Sequence, residues 1–343
     1  MRREPSVSTT GQKVKLYKRA IQIIKARFGI VSNNPELIFN PEFFEATDVL
    51  QSLLTNEYQI SDIAFDQNLD AYIYICDLPD IPPSVAVTDK EIWVAGNLSE
   101  LDAKMVDRRY GLFGNLGLFF KYSLATLERY HDIYSFHASA MYVPWQNELI
   151  FILGGPGAGK TVLLLEGLTR GYQVFATEMT HFQFGPEGYV FFKGSLLDNV
   201  RIGNLVYDFP EATQRLKLEL PKVEDVWGTK VVADLHSVTT EEDKIVNPSV
   251  TLLFPRIEAG RDTAIIEDIT DERKLIMMLF GNATEKVAGT VLLYGSIPIG
   301  GLDTPDLMRK RLKAVERFAA GDDLEIKRVK TILAGTRNCM EGI

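Results

Sequence analysis

Cysteine is scarce in this chain of 343 residues, which contains two cysteines and four histidines. Cys76 and Cys339 are too few for a disulfide scaffold in a chain of this length, and they cannot form an all-cysteine zinc site. The low counts of both residue types also disfavour a dedicated transition-metal site. We expect both cysteines to be reduced thiols, as is usual for proteins of the cytoplasm.

An excess of basic charge is also lacking. Lysine and arginine number 37 against 46 aspartates and glutamates, so the formal net charge is −9. Nucleic acids and anionic membrane surfaces carry charge of the same sign as the protein. We therefore expect neither of them as a general partner.

No long hydrophobic run is present. The longest mostly apolar stretch, at 110–120, is too short to span a bilayer, and it contains three glycines. Residues 1–5 are basic, but no apolar segment typical of a secretory signal follows them. These features predict a soluble, cytoplasmic protein.

Apart from these absences, the chain has the composition of a globular protein, with 46% hydrophobic and 24% charged residues. In the N-terminal part, apolar residues at helical spacing predict a helix over 13–28 and another over 108–130. Strands are predicted at 72–76 and 91–95. We expect 1–130 to form a separate α+β N-terminal domain, and its sequence suggests no chemistry.

Strands and helices alternate in the middle of the predicted fold. Strands over 134–143 and 148–153 precede a glycine-rich loop, and a helix over 160–170 and a strand over 172–176 follow it. Further elements are strands at 189–192, 230–234 and 250–254 and helices at 272–287 and 305–320. This order predicts the α/β class, with a mixed sheet and flanking helices.

One motif stands out in that loop. The run GGPGAGKT, from Gly154 to Thr161, matches G-x-x-x-x-G-K-[ST] in full. Glycines let successive backbone N–H groups converge on an anion, and the following helix directs the positive end of its dipole at the same anion. Lys160 is expected to reach the β- and γ-phosphates of a nucleotide, and Thr161 to bind Mg²⁺. The residues predicted to contact the nucleotide are Gly154, Gly155, Pro156, Gly157, Ala158, Gly159, Lys160, Thr161 and Val162.

An acidic residue follows the next predicted strand. Glu178 lies eighteen residues after Lys160, and the short helix between them would return the chain to the loop. One interpretation makes Glu178 a Mg²⁺ ligand, or a residue directly behind one. The other makes it a solvated acid at the end of a strand.

Several segments, in this order, resemble the HPr kinase/phosphorylase family. They are His137, the GGPGAGKT loop, the helix end at 165–171, the run FPRIEAGRDTAIIE at 254–267 and LFGNA at 279–283. The resemblance covers about 135–290. It implies a P-loop kinase core, similar to that of PEP carboxykinase, over 131–290, followed by a C-terminal strand and helical extension over 291–343. It also implies ATP and Mg²⁺ as cofactors, and it raises the option of a homo-oligomer because the family tends to assemble.

The sequence departs from the family after the third strand, where Thr177 and Glu178 replace an Asp-Asp pair. The first of those aspartates is implicated in activating the serine hydroxyl that is phosphorylated, and threonine cannot act as a base near neutral pH. Glu178 could act as the base or as a metal ligand, and His181 could share the proton transfer. The family's R-G-x-G-I-I-N signature is not clearly matched, and 200–205 is the nearest segment.

Two further residues are candidates for phosphoryl-transfer chemistry. His137 is expected to place a charge near the γ-phosphate, and Arg201 to neutralise charge on the transferred group. Each also has a structural interpretation, as a core histidine bonded to the backbone and as a surface or ion-paired arginine.

Two functions remain open. The first is an ATP- and Mg²⁺-dependent phosphotransferase that transfers the γ-phosphoryl group to a hydroxyl of a protein, peptide or small molecule. The second is a nucleotide-binding regulatory or assembly module in which loss of the Asp-Asp pair has weakened or removed transfer. In the first, the catalytic residues are Lys160, Glu178, His137, His181 and Arg201, and the metal ligands are Thr161 and Glu178. A GTPase or ATPase switch is a weaker third option, because the chain lacks an N-K-x-D element.

Overall fold

The computed structural model describes residues 14–39, 57–66 and 68–341. These residues form several sheets, with both parallel and antiparallel strand pairs, and helices pack against the sheets. The predicted α/β class is therefore confirmed at this level. Within the described ranges, no helix combines the length and apolar character needed to cross a membrane.

The N-terminal part contains a six-stranded sheet. Its elements are β1 (Tyr17–Ile23), β2 (Ala26–Ser32), α1 (Glu36–Phe39), β3 (Ile60–Ile63), β4 (Ala71–Asp77), β5 (Ser84–Val87), β6 (Glu91–Gly96), α2 (Leu98–Lys104) and α3 (Leu118–His131). The strand order is β3-β1-β2-β4-β6-β5, and α3 packs its apolar residues against the buried face of the sheet. The strands predicted at 72–76 and 91–95 are confirmed as β4 and β6.

The helix predicted over 13–28 is wrong in the described part of that range. β1 and β2 form an antiparallel hairpin there, in which Ile23 pairs with Ala26 around a two-residue turn that has Ile24 at a φ of 55°. β-branched residues fit a pleated sheet well, and here sheet pairing outweighs an apolar spacing that also suits a helix. The second predicted helix, over 108–130, begins as an α-helix only at Leu118, after a turn that contains Gly111, Gly114 and Gly117.

A second six-stranded sheet carries the glycine-rich loop. Its strands and the helix after the loop are β8 (Ala138–Val143), β9 (Glu148–Leu153), α4 (Lys160–Thr169), β10 (Gln173–Ala176), β16 (Ser249–Ile257), β17 (Ile265–Asp268) and β20 (Ile326–Ala334). The order is β10-β8-β9-β16-β20-β17, in which β9, β16 and β20 run parallel. α4 packs its apolar residues against one face of this central sheet.

The other face of the central sheet is covered by a four-stranded sheet and two helices. These elements are β7 (Ile133–Phe136), β11 (Thr180–Gly185), β12 (Gly188–Phe192), β15 (Lys244–Val246), α6 (Glu272–Ala288) and α7 (Pro305–Ala320). Phe318 on α7 packs its ring against Phe136, Phe151 and Phe182. The remaining elements are β13 (Leu197–Arg201), α5 (Pro210–Arg215), β14 (Lys230–Asp234), β18 (Val291–Leu293) and β19 (Ile297–Ile299).

Two features of this architecture differ from the expected one. The single strand predicted over 134–143 is two strands, and His137 is the residue at which the chain passes from the four-stranded sheet to the central sheet. In addition, the segment predicted as a C-terminal extension, 291–343, supplies β20, which lies between β16 and β17 inside the central sheet. The C-terminal segment is thus part of the sheet that carries the glycine-rich loop.

Candidate functional site

The glycine loop, defined as Gly154–Gly159, connects β9 to α4 as the sequence predicts. Gly157 and Gly159 adopt positive φ angles of 82° and 105°, in the region that favours glycine. A Cβ atom on Gly159 would lie 2.2 Å from Cγ1 of Ile257, the last residue of β16, so a side chain at this position would clash. The loop thus begins α4 directly at the end of two parallel strands, where the helix N-terminus is available to an anion.

Lys160 folds back over the glycine loop. Its side chain is 8% exposed, and its Nζ donates to the carbonyl of Gly154 at 2.9 Å. The same Nζ lies 3.0 Å from Nε2 of His137 and 3.7 Å from Oε2 of Glu178. The structure therefore brings together three of the residues predicted from the sequence.

His137 occupies the centre of this group because it links two sheets. Its Nε2 lies 3.1 Å from Oε2 of Glu178, and its Nδ1 lies 3.0 Å from Oε2 of Glu285 on α6. Its carbonyl accepts a hydrogen bond from Nδ2 of Asn282, also on α6, at 2.9 Å. The bond from Asn282 gives a hydrogen-bond donor to the His137 carbonyl at the point where the chain passes between the two sheets. The imidazole ring lies between the carboxylates of Glu178 and Glu285.

Glu178 lies in the turn between β10 and β11, with 31% of its side chain exposed. Partial burial acts to raise its pKa, but the contact with His137 and the charges of Lys160 and Lys286 outweigh it and hold the pKa well below the usual range. Glu178 is therefore ionised throughout the neutral range. A permanently ionised carboxylate beside the loop can hold a cation more readily than it can accept a proton.

Asp198 is a functional candidate that the sequence interpretation missed. It lies on β13, is 4% exposed, and accepts a hydrogen bond from the hydroxyl of Thr161. Burial, together with the charge of Glu178, raises its pKa to about 6. Its Oδ2 is buried and has no hydrogen-bond partner among the residues that the structure describes. The available signal was an acid inside an apolar strand, LLDNV, next to the segment compared with the family signature.

Thr177 has a structural role here. It is 2% exposed, and its hydroxyl lies 3.0 Å from the carbonyl oxygen of Ser195 and 2.9 Å from that of Leu197. These contacts fasten the end of β10 to the start of β13. They thereby hold Asp198 close to the N-terminus of α4.

The structure does not bring His181 or Arg201 into this group. His181 is fully buried, with Nδ1 2.7 Å from the hydroxyl of Ser135 and its ring stacked on Tyr58. Burial lowers the pKa of His181 to about 3, so the ring is neutral at pH 7. Arg201 is exposed at the end of β13 and lies three residues from Asp198, on the opposite face of the strand.

Residues distant in the sequence complete the group. Glu285 approaches the loop itself, because a Cβ atom on Gly155 would lie 3.7 Å from its Oε1. Lys286 lies 3.9 Å from Oε1 of Glu57, a fully buried residue of the N-terminal part. The N-terminal part, which suggested no chemistry, thus contributes a buried carboxylate next to the site.

The donor set around Thr161 suits a magnesium ion better than a transition metal. Within the described ranges, no group of three or more histidine, cysteine, aspartate or glutamate side chains is arranged to hold a metal. Mg²⁺ binds through one or two carboxylates and completes its shell with water and phosphate oxygens. The unpartnered Oδ2 of Asp198, beside the Thr161 hydroxyl, is an oxygen donor of this kind.

Comparison with known protein-family models gives no match, and comparison with curated protein sequences gives none either. The resemblance to HPr kinase/phosphorylase proteins therefore depends on the motif residues alone.

Proposed function

We propose that this chain is an ATP- and Mg²⁺-dependent phosphotransferase that transfers the γ-phosphoryl group to a hydroxyl of a protein, peptide or small molecule. One observation carries the proposal above the others. Asp198, Thr161 and Lys160 converge at the N-terminus of α4, and the buried Oδ2 of Asp198 has no partner in the described part of the chain. A buried carboxylate oxygen without a donor is costly unless a ligand completes its contacts.

The magnesium ion would be held by Thr161, Asp198 and Glu178. When bound with ATP, such an ion neutralises charge that develops on the β- and γ-phosphate oxygens. The low pKa of Glu178 favours this role, because the carboxylate is ionised without competing protons. In this proposal Asp198 joins the two ligands predicted from the sequence.

The chain's own residues would position the nucleotide. N–H groups of the glycine loop and the first turn of α4 would bind phosphate oxygens. Lys160 would turn its ammonium group from the Gly154 carbonyl toward the β- and γ-phosphates, to which its three N–H groups can donate. His137, which contacts both Glu178 and Glu285, would orient Glu178 toward the magnesium ion. The resemblance to HPr kinase/phosphorylase proteins supports transfer to a hydroxyl.

The second candidate function, a nucleotide-binding regulatory module, is favoured by Thr177. Its hydroxyl is used to hold the backbone of 195–197, so the position offers no base where the family has an aspartate. A module of this kind would bind MgATP and would transfer nothing.

Transfer of label from γ-labelled ATP separates the two functions. Wild-type protein with Mg²⁺ should label members of a panel of seryl peptides and small polyhydroxyl compounds. Lys160→Ala should give no labelled product. Lys330→Ala is the control and should give as much labelled product as wild type, because Lys330 on β20 pairs with Asp268 on β17 rather than with the site. Product that persists in Lys160→Ala would refute the site. MgATP binding without labelled product from any acceptor would support the module.

A further inference from the structure

Three buried oxygen atoms next to the site have no hydrogen donor among the described residues. They are Oε2 of Glu57, Oδ1 of Asn115 and Oδ1 of Asn282. The orientation of each amide is fixed, because Nδ2 of Asn115 donates to Glu57 at 3.0 Å and Nδ2 of Asn282 donates to the carbonyl of His137 at 2.9 Å. Rotating either amide would place its oxygen against another acceptor, so the missing partners must be donors.

Side-chain contacts connect the residues that carry these atoms to α6 and His137, beside Lys160. Asn282, Glu285 and Lys286 occupy positions i, i+3 and i+4 of α6 and therefore share one face of the helix. That face contacts His137 through Asn282 and Glu285, and it approaches Glu57 through Lys286 at 3.9 Å. Burial and the charge of Glu178 raise the pKa of Glu57, while the charges of Lys286 and His137 oppose the rise. The charges of Glu178 and His137, which lie beside Lys160, therefore act on Glu57.

We propose that Glu57, Asn115 and Asn282 line the acceptor end of the site and receive the hydroxyl group that is phosphorylated, with Glu57 accepting its proton. This inference rests on the proposed function and extends it to the N-terminal part of the chain. A hydroxyl group carries no charge, and its single O–H donor would pair with Oε2 of Glu57, while other donors of the acceptor molecule would pair with the two amide oxygens. A metal ion or an ammonium group would meet the like charge of Lys286.

The transfer balances with groups already named. The acceptor oxygen forms a bond to the γ-phosphorus of ATP, and the bond from that phosphorus to the bridging oxygen breaks. The hydroxyl proton passes to Oε2 of Glu57, and ADP leaves with the electron pair of the broken bond. Glu57 is better suited to this proton than Glu178, because Oε2 of Glu57 has no partner among the described residues, whereas Oε2 of Glu178 contacts His137 and Glu178 is assigned to the magnesium ion.

Fluoroaluminate provides a probe that does not require the natural acceptor. With MgADP it forms a planar mimic of the phosphoryl group in transfer, and a water molecule held by Glu57 would take the place of the acceptor oxygen opposite ADP. We would measure MgADP affinity by calorimetry with and without fluoroaluminate. Wild type should bind MgADP more tightly with it. Glu57→Gln should bind MgADP alone with an affinity within about twofold of wild type. Its increase in affinity with fluoroaluminate should be smaller than that of wild type by about tenfold or more.

Two further variants sharpen this test. Asn115→Ala should also reduce the gain, and it keeps the proposal falsifiable if Glu57→Gln does not fold. Glu148→Gln is the matched control, because Glu148 is also a buried glutamate, hydrogen-bonded by Thr251, and lies at the opposite end of β9 from the glycine loop. It should keep the full gain.

The outcomes separate this inference from the function on which it rests. If fluoroaluminate increases the affinity for MgADP equally in wild type, Glu57→Gln and Asn115→Ala, the assignment of the acceptor end is wrong, and the proposal of nucleotide binding is unaffected. A wild type that binds MgADP without any gain would overturn it as well and favour the regulatory module. A wild type that binds no nucleotide would refute the proposed function itself.

Discussion

Two groups of buried charges in this protein differ in how completely their polar atoms are paired. Arg311 on α7 is fully buried, and its guanidinium donates to both carboxylate oxygens of Glu128 at 2.8 Å. It also donates to Asp303 at 2.9 and 3.1 Å and to Thr284 at 3.4 Å. None of these side chains has a buried unpartnered atom in the described ranges.

The group around Lys160 is different, because Asp198 and Glu57 each keep a buried carboxylate oxygen without a donor in the part of the chain described. Leaving such an atom unpaired costs about 1–3 kcal/mol. Because the polar side-chain atoms of the Arg311 group are paired and two in the Lys160 group are not, we infer that the two groups have different roles. The Arg311 group links α3 to α7, and the Lys160 group is the one that we propose as a binding site.

Removing Arg311 from its fully paired group should have the largest effect on stability. Arg311→Ala leaves Glu128 and Asp303 as buried charges without their partner, and we expect the free energy of unfolding to fall by about 3–5 kcal/mol. Arg309→Ala, on the exposed side of the same helix, should change it by less than about 0.5 kcal/mol. Denaturant titration measures both. A loss below about 1 kcal/mol in Arg311→Ala would contradict the structural role.

Introducing at position 177 the aspartate found in HPr kinase/phosphorylase proteins should destabilise this chain. Thr177→Asp places a carboxylate where the hydroxyl contacts the carbonyl oxygens of Ser195 and Leu197, and we expect a loss of about 2–3 kcal/mol. Thr177→Ser keeps a hydroxyl and should lose less. Denaturant titration and the labelling assay would be run together. Increased transfer in Thr177→Asp with unchanged stability would show that position 177 belongs to the catalytic machinery.

His181 should give a pH dependence of stability that is independent of nucleotide. Its pKa is about 3 in the folded protein and about 6.5 when unfolded, so at intermediate pH only the unfolded chain binds the proton. Stability from this residue is therefore present above about pH 6.5 and is lost as the pH falls, by up to about 1.4 kcal/mol per unit. The slope of unfolding free energy against pH should be smaller by this amount in His181→Gln. Equal slopes would mean that His181 is protonated in the folded protein.

The smallest change in stability is expected at Asp198. Asp198→Asn removes a buried charge whose pKa is raised to about 6, so stability at pH 7 should be unchanged or slightly higher. Its effect should appear in ligand binding, where the enhancement of ATP affinity by Mg²⁺ should fall by about tenfold or more. Thermal unfolding and calorimetry measure the two properties. Lower stability with an unchanged Mg²⁺ effect would place Asp198 with the structural group.

The sequence was sufficient for the part of the site that is contiguous in the chain. The spacing of GGPGAGKT predicts a strand, a loop and a helix, and β9, the glycine loop and α4 confirm that arrangement. His137 and Glu178 were found because each lies next to a strand end that returns to the loop. Local patterns of this kind depend on backbone geometry, which a few residues determine.

The rest depends on contacts between distant residues. Asp198, Glu285 and Glu57 reach the site from β13, α6 and the N-terminal part, and no local pattern marks an acid that will be buried. His181 lies outside the group around Lys160 for the same reason, because its stacking on Tyr58 follows from tertiary packing. The sequence pattern predicts a helix over the hairpin of β1 and β2 because it does not show which strands β1 pairs with. One of them is β3, where Ile23 pairs with Ile60, 37 residues further along the chain.

The central claim, that the open group around Lys160 binds a nucleotide with Mg²⁺, is tested most directly by calorimetric titration with ATP, with and without Mg²⁺. Wild type and Lys330→Ala should bind ATP more tightly with Mg²⁺, and Lys160→Ala should lose this binding. Absence of binding to wild type, or equal binding to Lys160→Ala, would contradict the claim.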